Sequence, residues 1–133
     1  MASDLSALDD LVAGQDRGAD LVIKHPVTGE SMDMILTVAG PDSDVQRKAR
    51  LQMQDELYAF KGRPPAAEYD RMDIDRLARC VVSWNVKRDG NVVPFALTNV
   101  VKLLREQESV RQQVEQFSQS RAPYFLRLPM EET

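Results

Sequence analysis

The sequence is poor in the residue types from which most catalytic and metal centres are built. Its 133 residues hold one cysteine, Cys80, and one histidine, His25, so no intramolecular disulfide can form and no Cys/His metal site can be assembled. The six glycines, at 14, 18, 29, 40, 62 and 90, are isolated singles, which removes the glycine-rich loops that cradle phosphates. Val27-Thr28-Gly29-Glu30 lacks both the glycine spacing and the lysine of such a loop and reads as a turn. No run approaches the roughly 18 apolar residues of a membrane span. The acidic start, Met1-Ala2-Ser3-Asp4, lacks the basic and apolar regions of a secretory leader. A soluble chain in a reducing cytoplasm is expected, with no metal, cofactor or membrane contact.

Clustered positive charge is scarce as well. The net charge is −4, which argues against nonspecific nucleic-acid binding, because that binding needs clustered Lys and Arg to displace counterions from phosphates. The balance is uneven along the chain. Residues 1–44 carry nine acidic side chains against Arg17 and Lys24, giving −7 and leaving +3 for residues 45–133. An acidic front and a mildly basic remainder attract each other, within one chain or between copies.

What is present suits one ordinary globular domain: 43% hydrophobic and 29% charged residues, with a core large enough to need no staples. All seven prolines, at 26, 41, 64, 65, 94, 123 and 129, fall between periodic segments and so divide the chain into elements. Residues 1–18 read as a flexible acidic segment with a short helix capped by Ser3 and a joint at Gly14, Asp16 and Gly18. The globular domain is expected over residues 19–126. Ala19–His25 and Met32–Ala39 have strand composition, and the Pro26 and Gly29 between them supply turn chemistry, which predicts an antiparallel hairpin over residues 19–39.

Helices are expected over about 43–60, 68–86, 97–106 and 109–120. The first carries Val45, Ala49, Met53, Leu57 and Phe60 on one stripe, and the second Ile74, Leu77, Val81 and Trp84. The junction between the last two lacks Gly or Pro, so one kinked helix is the alternative. Lys87–Asn91 reads as a turn around Asp89-Gly90, and residues 127–133 as an irregular tail. The fold class is therefore α+β: a mainly α-helical single domain with an N-terminal β-hairpin.

Candidate reactive residues have structural explanations. His25 stands alone before a proline, and Cys80 sits in an apolar helical stripe where a small thiol is inert. Asp70, Asp73 and Asp75 resemble a carboxylate cluster, but the pair Asp70 and Asp73 falls near an expected helix N-terminus, where negative charge is favourable. Arg47, Lys48 and Arg50 read as the solvated side of an amphipathic helix. With no catalytic constellation visible, the residues favour an interaction protein over an enzyme.

The order and spacing of several short motifs resemble the tail assembly chaperones of long-tailed, lambda-like bacteriophages. These are His25-Pro26-Val27-Thr28-Gly29-Glu30, Gly40-Pro41-Asp42-Ser43, Trp84, Asp89-Gly90, Pro94-Phe95 with Asn99, and a closing pattern of Val110, Gln113-Val114, Phe117, Arg121 and Phe125. The resemblance covers roughly residues 19–126. It departs from the family at Ala96, where a capping Ser or Thr is common and Thr98 is the nearest substitute.

The resemblance implies a non-enzymatic factor of the host cytoplasm, absent from the mature virion, that binds the tape measure protein and recruits tail tube protein. It also implies a frameshift-extended form of the same chain. Trp84, Phe95, Arg121 and Phe125 are the partner-binding candidates. Arg47, Lys48, Arg50, Lys61 and Arg63 are the candidates for head-to-tail self-association with the acidic front, as a homo-oligomer or spiral. The competing readings are another small adaptor or interaction module, a DNA-binding regulator, and an enzyme subunit.

Overall fold

A computed structural model of the chain describes residues 4–125. The element order is α1 (Leu5–Arg17), β1 (Ala19–Lys24), β2 (Ser31–Val38), α2 (Asp44–Ala59), α3 (Ala66–Ala78), β3 (Val81–Trp84), β4 (Lys87–Arg88), β5 (Asn91–Val92), α4 (Leu97–Glu106), α5 (Glu108–Ser118) and α6 (Ala122–Phe125). The expected class holds: the fold is α+β, mainly helical, with the hairpin near its N-terminus. The Ser3 cap and the tail at residues 127–133 lie outside the described residues.

The β1–β2 hairpin forms where its turn residues place it. His25 donates its backbone N–H to the Glu30 carbonyl, and its own carbonyl accepts from Gly29 N–H. Gly29 takes φ +76°, a conformation that favours glycine. Pairing runs from Ala19 opposite Val38 to Lys24 opposite Ser31, with a shift between Val22 and Lys24. Leu36 and Val38 point into the core, while Ile35 and Thr37 face the other way, as the two-residue period requires.

The hairpin gains a third strand that sequence periodicity hides. Residues 81–84 do not continue a helix to Val86: α3 stops at Ala78, and β3 pairs antiparallel with β2, Leu36 opposite Trp84. Two β-branched residues, Val81 and Val82, favour extended backbone, and β2 offers an edge of unpaired amides and carbonyls that β3 satisfies. Asn85 continues the ladder, its side-chain Oδ1 accepting from Ile35 N–H at 2.6 Å.

Around the sheet, Ile23, Leu36 and Val38 join Leu77 of α3, Val100 and Leu104 of α4, and Val114 of α5 in one core cluster. The expected α2 stripe buries Ala49 and Met53 fully and Val45, Leu57 and Phe60 only in part. α4 and α5 are separate helices that meet at Gln107, whose backbone is extended. Asp89-Gly90 makes the turn between β4 and β5 with both residues at positive φ, the geometry that suits a two-residue hairpin.

The N-terminal segment is not a loose joint. Gly14 and Asp16 lie inside α1, which is capped by the Asp4 side chain. Gln15 is fully buried; its Oε1 accepts from Asp42 N–H at 2.6 Å and its Nε2 donates to Asp42 Oδ2 at 3.1 Å. Asp16 Oδ1 accepts from the Asp44 and Val45 N–H groups, so it caps α2 from another element. At the other end, residues beyond the last expected helix form α6, and the Tyr124 hydroxyl donates to the Val38 carbonyl at 2.6 Å inside the core.

Candidate functional site

A groove of about 490 Å³ opens between the turn end of the hairpin, β3, β4 and the α4–α5 corner. Its floor is apolar: Met34, Trp84, Val86, Leu103 and Val110 come from four separate stretches of chain. β3 brings Trp84 here because of its pairing with β2. A helical Trp84 would have been placed by α3 instead.

Polar contacts fix the walls. Trp84 Nε1 donates to the Val93 carbonyl at 2.9 Å, and the indole meets the Phe95 ring edge-on with centroids 5.7 Å apart, a favoured aromatic arrangement. Asn99 Nδ2 donates to the Pro94 carbonyl at 2.9 Å. That bond braces the start of α4, where Ala96 provides no side-chain cap. On the opposite wall Gln113 holds the end of β1 from α5: its Oε1 accepts from Lys24 N–H and its Nε2 donates to the Lys24 carbonyl, both at 2.9 Å. His25 Nδ1 accepts from the N–H groups of Val27 and Thr28, which commits that nitrogen to the turn.

The rim is basic. Lys24, Lys87, Arg88 and Lys102 border the groove against a single carboxylate among its lining residues, Glu106, which lies 3.9 Å from Arg88. An apolar floor with a cationic rim suits an amphipathic segment that presents apolar anchors and flanking acidic groups. Met32, exposed at the lip, and Met34 add side chains that adapt to irregular surfaces.

The candidate residues separate into different regions. Trp84 lines this groove, while Phe95 turns to a neighbouring concavity of about 390 Å³ with Lys48, Ala49 and Leu97. Arg121 is engaged within the chain, by a two-pronged bond to Asp42. The Phe125 side chain lies outside the described residues. Arg47 and Lys48 sit on the exposed side of α2 and pair with Asp44 of the same helix. Arg50 and Lys61 are exposed, and Arg63 borders a shallow concavity with Leu57, Pro64 and Tyr69.

The acidic triplet of α3 also differs from expectation. α3 begins at Ala66, so Asp73 and Asp75 fall beyond its first turn and are neutralised by ion pairs. Asp73 binds Arg76 and Arg111, Asp70 binds Arg111, and Asp75 binds Arg79. Arg76 also binds Glu115, and that pair with the two of Arg111 fastens α3 to α5. Cys80 lies at the junction of α3 and β3, not within a helical stripe. Burial pushes its thiol up to about 11, and Sγ donates to the Arg76 carbonyl. Among the described residues no group of three or more His, Cys, Asp or Glu is placed to hold a metal ion, and no helix is long and apolar enough to cross a membrane.

Sequence reading missed the basic rim. Lys24, Lys87, Arg88 and Lys102 come from β1, β4 and α4, and only Lys87-Arg88 forms a linear signal. No protein-family model, curated protein or solved structure matches the chain.

Proposed function

We propose that this chain is a tail assembly chaperone of a long-tailed bacteriophage, which holds a helical stretch of the tape measure protein in the basic-rimmed groove and promotes polymerisation of tail tube protein. One observation carries the reading. His25-Pro26, Trp84 and Asn99, residues on which the resemblance to that family rests, come from three separate stretches of chain yet line the same groove.

On this reading the protein is non-enzymatic. Apolar anchors of the client fill the floor, which supplies most of the affinity through burial at about 25 cal/mol per Å². Acidic client residues meet Lys24, Lys87, Arg88 and Lys102, which set orientation and association rate. The chaperone works in the host cytoplasm, is left out of the mature virion, and acts beside a frameshift-extended form that shares its N-terminal part.

Co-purification with the phage's tape measure protein tests the function. Capture by the wild-type chain, lost in Leu103→Asp with its fold retained by circular dichroism, is the expected result. Failure of the wild type to capture it, with salt-sensitive binding to duplex DNA in its place, would replace this reading with a regulator.

A further inference from the structure

β1 is an edge strand that pairs on one side alone, in the order β1-β2-β3. Ile35, opposite Val22, turns its N–H and C=O to Asn85 on the β3 side. By the alternation of an antiparallel ladder, Asp20 and Val22, opposite Thr37 and Ile35, turn theirs outward, away from β2. Neither has a backbone hydrogen-bond partner among the described residues. Lys24 is the next to face outward, and there Gln113 takes the place of a neighbouring strand, Oε1 accepting from the N–H and Nε2 donating to the C=O. A side-chain amide thus completes the edge at one residue and leaves two open.

The open edge looks into a concavity of about 720 Å³ bordered by Leu21, Val22, Phe117 and Pro123. Pro123 belongs to α6, and the Tyr124 hydroxyl of that helix bonds the carbonyl of Val38, the partner of Ala19. α6 therefore lies at the start of β1. The sequence that follows it is Leu126-Arg127-Leu128-Pro129-Met130-Glu131, apolar at Leu126, Leu128 and Met130 with the period of a strand. Asp20 and Lys24 are four apart, as are Arg127 and Glu131, with opposite signs in the same order. A parallel alignment sets Arg127 beside Asp20 and Glu131 beside Lys24, whereas an antiparallel one sets like charges together. The parallel register also places Pro129 beside Val22. A residue opposite an outward-facing one turns its own amide away in a parallel pair, so the N–H that Pro129 lacks falls on the solvent side, where an edge strand tolerates proline. Leu126, Leu128 and Met130 then share the face of Leu21.

We propose that residues 126–130 of the same chain add to β1 as a parallel fourth strand, in place of the irregular tail read from composition. Asp20 N–H donates to the Leu126 carbonyl, and the Asp20 carbonyl accepts from Leu128 N–H. Val22 N–H donates to the Leu128 carbonyl, and the Val22 carbonyl accepts from Met130 N–H. The ladder stops where Gln113 already holds Lys24, and Glu131 meets the Lys24 ammonium. Such a strand closes an edge otherwise open to pairing with another chain. The inference is independent of the chaperone reading.

Hydrogen exchange of single amides, followed by NMR on the full chain, tests it. The Asp20 and Val22 amides should exchange at least about tenfold more slowly in the wild type than in Leu128→Pro, which removes an inward N–H and should leave circular dichroism unchanged. Asp20→Arg should also lose the protection of Val22, and adding Arg127→Asp should restore it. Methyl contacts of Leu128 should fall on Leu21 and Phe117. Equal rates in the wild type and Leu128→Pro would overturn the proposal, as would a double variant without recovery. Protection that fades on dilution would assign the edge to the tail of another copy, and Leu128 contacts to Leu8 and Val12 would put the segment on α1; either result overturns the fourth strand.

Discussion

Arg121 grips Asp42 through both carboxylate oxygens, Nε to Oδ2 at 2.6 Å and Nη2 to Oδ1 at 2.8 Å. Asp42 is bonded from its other side by Gln15, so one carboxylate joins α1, the loop before α2 and the segment leading into α6. A two-pronged guanidinium–carboxylate pair fixes geometry as well as charge.

The grip makes stability fall in acid. Hydrogen bonds from Arg121, then from Gln15, hold the Asp42 carboxyl at about 2, below its usual 3.8. A folded pKa below the unfolded one means that the stabilisation is complete above about pH 4 and is lost as pH falls through about 2. Melting temperature against pH should therefore drop less steeply between pH 4 and 2 in Asp42→Asn than in the wild type. Added salt should narrow the difference, since the pair is exposed. Parallel curves would show that Asp42 gains nothing from its partners.

Trp84→Ala should destabilise by about 2–3 kcal/mol in urea denaturation, below the ~3–5 kcal/mol of a fully buried tryptophan, because the indole is only half-buried. Trp84 is the chain's sole tryptophan, so its emission in the wild type should shift when a client enters the groove. A loss below about 0.5 kcal/mol, the scale of a change on open surface, would place Trp84 outside the packed structure.

Gly40→Ala should cost about 1–3 kcal/mol, the range for overpacking. A Cβ at Gly40 would lie 2.6–2.7 Å from Gln15 side-chain atoms, and Gln15 cannot swing away while buried and bonded to Asp42. The variant should also expose residues 4–17 to limited proteolysis. Unchanged melting and digestion would mean that α1 yields freely at this contact.

Cys80 should resist thiol reagents at pH 8 in the native state and react at once in denaturant. Burial both blocks access and raises the thiol to about 11, so little thiolate forms. Rapid native labelling would show that the α3–β3 junction opens readily.

Much of the fold was legible because its signals are local. The hairpin turn at Pro26 and Gly29 and the Asp89-Gly90 turn each rest on a few neighbouring residues. β3 was not legible for the opposite reason. Val81 and Trp84 extend the spacing of Ile74 and Leu77, so four residues satisfy a helical stripe and a strand equally well. The decision belongs to β2, more than forty residues away in the chain. The basic rim was hidden in the same way, since its lysines become neighbours only after three elements pack. Gly14 and Gly18 suggested slack at the N-terminus, but buried Gln15 supplies a tether that composition does not reveal.

The position of β2 sets the order in which the backbone opens. Bonded on both sides, by β1 and β3, it can release its amides to solvent only when a neighbouring strand has left, whereas β4 and β5 lean on each other alone. Amide hydrogens of Leu36–Val38 should thus be the slowest of the sheets to exchange for deuterium, and those of Lys87–Val92 among the fastest. The groove has β3 on one side and that small hairpin on the other, so its lip can rearrange around an incoming helix while the strand beneath it stays closed.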